Sequence, residues 1–150
     1  MNRSNSYNYM PIITDYGPEP LAINIDKATK TNTDFRTALW TGDYLQVTLM
    51  CIPVHGDIGL EMHTCTDQFI RVESGCALVM MGKYKNALNY QKEINENYAV
   101  IVPAGTWHNV VNIGNTPLKV YSIYAPPHHP FGTVEKTKTD ADKEHETPDC

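Results

Sequence analysis

Glu61-Met62-His63-Thr64-Cys65-Thr66-Asp67-Gln68, continuing through Phe69-Ile70-Arg71-Val72-Glu73 to Gly75, decides the fold together with its counterpart, Pro103-x-Gly105-x-x-His108-x-x-x-Asn112. In an extended strand, side chains two residues apart point to the same face. Glu61 and His63 therefore project together, and Met62 turns away. A turn through Thr64-Cys65-Thr66-Asp67 reverses the chain. Beyond it Gln68, Ile70 and Val72 share one face, while Arg71 and Glu73 take the other and belong in water. A carboxylate, an imidazole and an amide oxygen turned inward near one turn need partners, because lone buried polar groups are costly. A divalent transition metal answers that need, since imidazole and oxygen ligands suit one. His108, delivered by the second stretch, is the fourth expected ligand.

The two stretches resemble the paired motifs of the cupin superfamily. The first family motif sets two His one residue apart, a Glu about four residues later and a Gly seven beyond that. The corresponding positions here are Glu61, His63, Gln68 and Gly75. The second motif is matched at all four fixed positions by Pro103, Gly105, His108 and Asn112. The glycine that usually opens it is Asn97, and the glycine before the first motif is His55, although Gly56 and Gly59 lie beside it. Pro and Gly occupy only about 5% and 7% of positions in average proteins, so this pairing with His and Asn at fixed offsets is specific. The resemblance spans about residues 35 to 127. It implies an all-β fold, the double-stranded β-helix or jelly-roll-like barrel.

Length and composition agree with one such unit. The chain has 150 residues, enough for a single domain with a real core. Hydrophobic residues at 41% and charged residues at 19% describe an ordinary globular protein rather than a disordered one. The net charge is −5, and the acidic residues gather after Val134. No basic patch suits a phosphate backbone, so nucleic acid is excluded as a partner. The N-terminus has no apolar leader segment and no stretch reaches membrane-spanning length. The four Cys (51, 65, 76 and 150) form no C-x-x-C pair or zinc-finger spacing, which predicts a reduced, cytoplasmic protein. Cys51 and Cys76 lie in apolar strand patterns and read as small buried hydrophobes. Cys65 shares the Glu61–His63 face only if that strand continues.

In chain order, residues 1–34 read as an irregular N-terminal arm, with a short strand at Leu21–Ile25 and one helical turn between Asp26 and Thr33. Residues 35–127 read as the barrel. Strand patterns run over Phe35–Trp40, Tyr44–Val54, Asp57–Thr64, Asp67–Glu73, Gly75–Met81, Tyr98–Val102, Trp107–Ile113 and Pro117–Ala125, with Gly82–Glu93 as a polar excursion. Residues 128–150 read as a polar, flexible tail. His55 reads as an exposed turn residue, Trp107 as packing, and His128 and His129 as exposed tail histidines rather than ligands.

Three ligands with open positions make a catalytic metal site, whereas four closed ligands suggest a structural one. A Gln, a Glu and two His is also the ligand complement of metal-dependent mannose-6-phosphate isomerases, which have cupin folds. The resemblance thus implies a metal-dependent isomerase or epimerase acting on a sugar or sugar phosphate. The metal would be one of zinc, iron, manganese, nickel or cobalt. Arg36, Arg71, Lys83 and Lys85 are phosphate-clamp candidates by charge alone. Glu61, His63 and His108 form the two-His-one-carboxylate set associated with ferrous oxygenases, so a dioxygenase is the alternative, and a non-catalytic small-molecule binding module is the third. Cys76-Ala77-Leu78-Val79-Met80-Met81 is apolar on both faces, where a wet barrel wall should alternate. A second copy covering it predicts a homodimer.

Overall fold

The structure, a computed structural model, describes residues 15–143. The beginning of the expected arm and the end of the expected tail lie outside these residues. Among the described residues nine strands follow one another: β1 (Arg36–Thr41), β2 (Gln46–Ile52), β3 (Asp67–Ser74), β4 (Ala77–Gly82), β5 (Tyr90–Ile94), β6 (Ala99–Val102), β7 (Trp107–Asn112), β8 (Leu118–Ala125) and β9 (Val134–Glu135). Two short helices, α1 (Ile25–Thr31) and α2 (Lys138–Asp142), flank the strand set. One sheet has six strands in the order β6-β3-β8-β2-β1-β9, and the other has three, β5-β4-β7. All the strand pairs are antiparallel. This is the all-β, jelly-roll-like arrangement that the resemblance implied.

The core lies between the sheets and is built from inward alternation. Met50, Val120 and Val72 stand opposite one another on β2, β8 and β3, and all are buried. Two residues along, Thr48, Ser122 and Ile70 form the next row, and two further on Gln46, Tyr124, Gln68 and Val102 form a third. The inner face therefore grades from apolar at one end to polar at the other. Side chains directly opposite share a face and touch, so this register gathers the polar groups at one mouth of the barrel.

Several expectations are corrected. Leu21–Ile25 is not a strand; Asn24 is an N-cap whose side chain accepts the Lys27 N–H at 3.0 Å, and two turns of α1 follow. Asp57–Thr64 is not a strand either. Its backbone pairs with β7 through isolated bridges, Asp57 to Val111 and Glu61 to His108, because His55 (φ 66°) and Gly59 (φ 95°) bend the chain. His55 and Asn97 (φ 71°) occupy the two positions where the family motifs usually carry glycine, and both are left-handed. Asn tolerates that region better than most residues. Gly82–Glu93 does not stay irregular, since its end enters β5, which pairs with β4 from Tyr90 to Ile94. Only Ile94 of β5 is buried, so its polar sequence hides the strand.

Glu73 is buried rather than solvated, and pairs with Arg71 at 3.1 Å on the side that α1 covers. Cys76 is exposed and Cys51 half-buried, so neither is a fully enclosed hydrophobe. Beyond residue 128 the chain is not a loose polar tail as far as the structure describes it. β9 pairs with β1, and α2 starts from a capping box between Thr137 and Asp140. Glu135 enters the core because Arg36 Nη1 meets it at 2.7 Å, both side chains being 2% exposed. Among the described residues no helix is long and apolar enough to cross a membrane.

Candidate metal centre

The two motif stretches are stitched together by their backbones. The Glu61 N–H donates to the His108 carbonyl at 3.0 Å, and the His108 N–H donates to the Glu61 carbonyl at 2.9 Å. The Gly105 N–H donates to the His63 carbonyl at 2.7 Å, from a backbone with φ 80° that favours glycine. Asn112 closes the far end of β7, its Nδ2 donating to the carbonyls of Ile52 at 3.1 Å and Thr116 at 2.9 Å. Pro103, Gly105 and Asn112 are thus scaffold residues, and His108 is the one the scaffold presents.

One donor atom each from Glu61, His63 and His108 lies within 4.8 Å of the others. Glu61 Oε1 is 3.4 Å from His63 Nε2 and 3.5 Å from His108 Nε2, too long for strong hydrogen bonds. His108 is fully buried and His63 nearly so. His108 Nδ1 sits 2.9 Å from the Thr106 carbonyl, an acceptor, so Nδ1 carries a proton and Nε2 faces the centre, where its lone pair is open to a metal in the neutral ring. This is the arrangement that orients ligating imidazoles. Burial pushes the Glu61 carboxyl up, but His108 and His63 outweigh it and hold the group well below the ordinary carboxylate range. It is an anion at any pH near neutrality.

Gln68 faces inward as expected and is 3% exposed. Its Nε2 donates to Ser122 Oγ at 3.3 Å and Tyr124 Oη at 3.2 Å. Its Oε1 is buried without a hydrogen-bond partner among the described residues, and so are Glu61 Oε1 and His108 Nε2. Folded proteins seldom leave buried acceptors unmatched. Acceptors only, one of them anionic, drawn from imidazole and oxygen groups, fit a divalent transition metal.

Cys65 is exposed and disulfide-bonded, so it offers no thiolate to the centre, and the expectation of a fully reduced chain is corrected. His55 is exposed, as expected. His128 and His129 are not exposed tail residues. Both are half-buried, and the His128 ring centroid is 4.0 Å from that of His63. Gln46 holds this corner: its Oε1 accepts the backbone N–H groups of His128 at 3.1 Å and His129 at 2.9 Å, and its Nε2 donates to the His129 carbonyl at 2.8 Å. His129 Nε2 lies 3.3 Å from Tyr124 Oη. Burial lowers the His129 imidazole well below its ordinary value, with Arg36 and His128 adding to the effect. Burial also pushes the Tyr124 phenol up to about 12. Sequence reasoning passed over Tyr124, although the alternation Leu118, Val120, Ser122, Tyr124 marks it as inward.

The phosphate-clamp candidates are dispersed. Arg36 is committed to Glu135, and Arg71 to Glu73 and Asn97 on the outer side. Lys83 and Lys85 are exposed, Lys85 lying 5.6 Å from the centroid of the half-buried Trp107 ring.

A family model described as "Cupin domain" matches residues 48–124, a span that contains Glu61, His63, Gln68 and His108. The chain is 60% identical over 130 residues to the uncharacterised protein YrkC of Bacillus subtilis (strain 168), covering 87% of this chain and 70% of that one. The crystal structure of BH2720 from Bacillus halodurans is 59% identical with a TM-score of 0.87, covering 87% of this chain and 99% of the other. KdgF from Halomonas sp. shares the fold alone, at 17% identity and a TM-score of 0.55, covering 62% of this chain and 80% of that one.

Proposed function

This chain belongs to the cupin family, and from that premise we propose that it binds one divalent transition metal through Glu61, His63, Gln68 and His108 and acts as a metal-dependent isomerase or epimerase on a sugar. The observation that carries the proposal is the convergence of Glu61, His63 and His108 from two separate motif stretches within 4.8 Å, with Glu61 Oε1, His108 Nε2 and the inward Gln68 Oε1 buried and without a hydrogen-bond partner among the described residues. Zinc, iron, manganese, nickel and cobalt all accept such a donor set. A sugar without a phosphate is favoured over a sugar phosphate, because the buried Arg36 is already paired with Glu135.

When bound, the metal supplies Lewis-acid polarisation of a carbonyl. The remaining work falls to the chain. Glu61 stays anionic, and Thr106 keeps the His108 lone pair aimed at the centre. Moving a proton between neighbouring carbons needs protic groups at hand. Tyr124, which holds its proton at Oη, and the His128–His129 corner stand beside the donor group in that capacity. A dioxygenase is the second reading, favoured by the two-His-one-carboxylate character of Glu61, His63 and His108.

The test is turnover in heavy water. Protein loaded separately with each metal is incubated with a panel of aldoses and ketoses, and deuterium entry beside the carbonyl is followed by proton NMR, with dissolved oxygen recorded in parallel. Metal-dependent exchange that is lost in His108→Ala supports the isomerase. Oxygen uptake by the iron form replaces it with the dioxygenase. Saturable ligand binding with neither signal leaves a binding cupin. We also infer that the working assembly is a homodimer.

A further inference from the structure

We infer that Tyr124 and His129 are positioning residues that fix the Gln68 side chain with its oxygen, and not its nitrogen, toward the metal centre. An amide side chain is nearly symmetric in shape, so only its hydrogen-bond partners decide which end faces where. Gln68 Nε2 has two protons and finds two hydroxyl oxygens, Ser122 Oγ at 3.3 Å and Tyr124 Oη at 3.2 Å. Both hydroxyl oxygens must then accept, so the Tyr124 proton has to go elsewhere. The Thr48 and Ser122 hydroxyls also lie against the phenol, but each has a proton of its own to place, whereas His129 Nε2, 3.3 Å from Tyr124 Oη, is the neighbour that can serve as acceptor alone. With Nε2 accepting, the neutral imidazole carries its proton on Nδ1, and the chain of donors runs Gln68 to Tyr124 to His129.

The corner that holds His129 is itself pinned. Gln46 grips its backbone on both sides, accepting its N–H at 2.9 Å and donating to its carbonyl at 2.8 Å. Gln46, Tyr124 and Gln68 stand directly opposite one another on β2, β8 and β3, so one row of the sheet carries the whole relay. The outcome is the buried, unmatched Gln68 Oε1. A flipped amide would take the two hydroxyls as donors to its oxygen, but it would aim two N–H groups at a cation and withdraw the Tyr124 proton from His129. The chain beyond residue 125, remote in sequence from both motifs, thereby decides the chemistry that Gln68 presents.

This inference rests on Gln68 ligating the metal, and the experiment separates the two. Cobalt(II) affinity is measured by competition with a chelator, with the visible absorption spectrum of the bound ion as a second readout. Tyr124→Phe is expected to weaken cobalt binding by about tenfold to a hundredfold, the usual consequence of losing an outer partner of a ligand, and to shift the spectrum. His129→Ala acts in the same direction. A carboxylate offers oxygen whichever way it turns, so in a Gln68→Glu background Tyr124→Phe changes affinity by no more than about twofold, as independent sites do. Equal losses in both backgrounds, or no loss in the wild-type background, overturn the positioning role. Gln68→Ala that weakens binding while Tyr124→Phe does not leaves ligation standing and defeats the inference alone. Gln68→Ala with unchanged affinity defeats ligation and, with it, the inference. If Tyr124→Phe does not fold, His129→Ala at the half-buried corner supplies the same comparison in both backgrounds.

Discussion

Glu61 and His108 face each other as a closed antiparallel bridge, exchanging backbone hydrogen bonds of 3.0 and 2.9 Å while their side chains converge at 3.5 Å. Main-chain bonds thus bring the carboxylate of one motif to the imidazole of the other, and these bonds do not depend on a metal. The site is expected to be preformed. Chelator-treated protein should keep a cooperative thermal transition, and adding metal should raise the Tm by mass action. His63→Ala and His108→Ala should fold and lose that metal response, and elemental analysis should find them depleted. Undiminished metal in both would remove the site.

Replacing the neutral amide by a carboxylate tests the fourth position. Gln68→Glu is expected to tighten metal binding by about tenfold or more, because a second anion joins Glu61 around a divalent cation. Chelator competition measures it. An affinity equal to wild type would mean that the centre is Glu61, His63 and His108 alone.

The parts of this molecule that were legible in the sequence are those where periodicity and motif coincide. Gln68, Ile70 and Val72 alternate with the half-buried Phe69 and Arg71, and Pro103, Gly105 and His108 sit at fixed offsets, so both the fold and the three converging side chains of Glu61, His63 and His108 could be read. Glu73 has the same period as Arg71, yet is buried because α1 folds over it, a tertiary event that no strand pattern records. β5 is an edge strand with one buried residue, so its sequence looks like a loop. His128 and His129 lie in a proline-rich stretch that resembles a tail. The inward amide of Gln46, eighty-odd residues earlier, ties their backbones to the mouth, a contact no local pattern records.

The Arg36–Glu135 pair fastens β9 to β1 inside the core, with both side chains 2% exposed. Removing one partner of such a pair strands the other, which typically costs about 3–5 kcal/mol, whereas replacing both with apolar residues is often neutral. Glu135→Ala should therefore lower the urea midpoint far more than the double change Arg36→Met with Glu135→Leu. Equal midpoints for the single and double variants would contradict the pair's isolation.

His129 gives a pH signature. Its folded-state value is depressed by burial, Arg36 and His128, while an unfolded histidine titrates near 6.5. Below that pH the unfolded chain takes up a proton that the folded corner refuses, so stability falls as pH drops through about 6.5. Denaturation of metal-free protein at pH 7.5 and pH 5 measures the loss. His129→Gln should show a smaller loss than wild type; an identical loss would place the effect on other groups.

The homodimer prediction turns on which apolar face needs a lid. The sequence pointed to Cys76–Met81, where Leu78, Met80 and Met81 are half-buried within the single chain and no large apolar side chain is fully exposed. The outer side of the six-stranded sheet carries a longer apolar row. Trp40, Val47, Ile123, Phe69 and Ile101 stand opposite one another in register across β1, β2, β8, β3 and β6. α1 and Tyr16 cover the neighbouring cluster of Leu39, Leu49 and Tyr121, yet Ile101 stays 59% exposed and the other four remain only half-buried. A row crossing five strands is the kind of surface that marks an interface, and a two-fold partner is the commonest cover. Light scattering at micromolar concentration should give twice the monomer mass. Ile101→Lys should halve it, and Leu78→Lys should not. A monomer mass for the wild type refutes the dimer, and dissociation by Leu78→Lys alone would return the interface to β4.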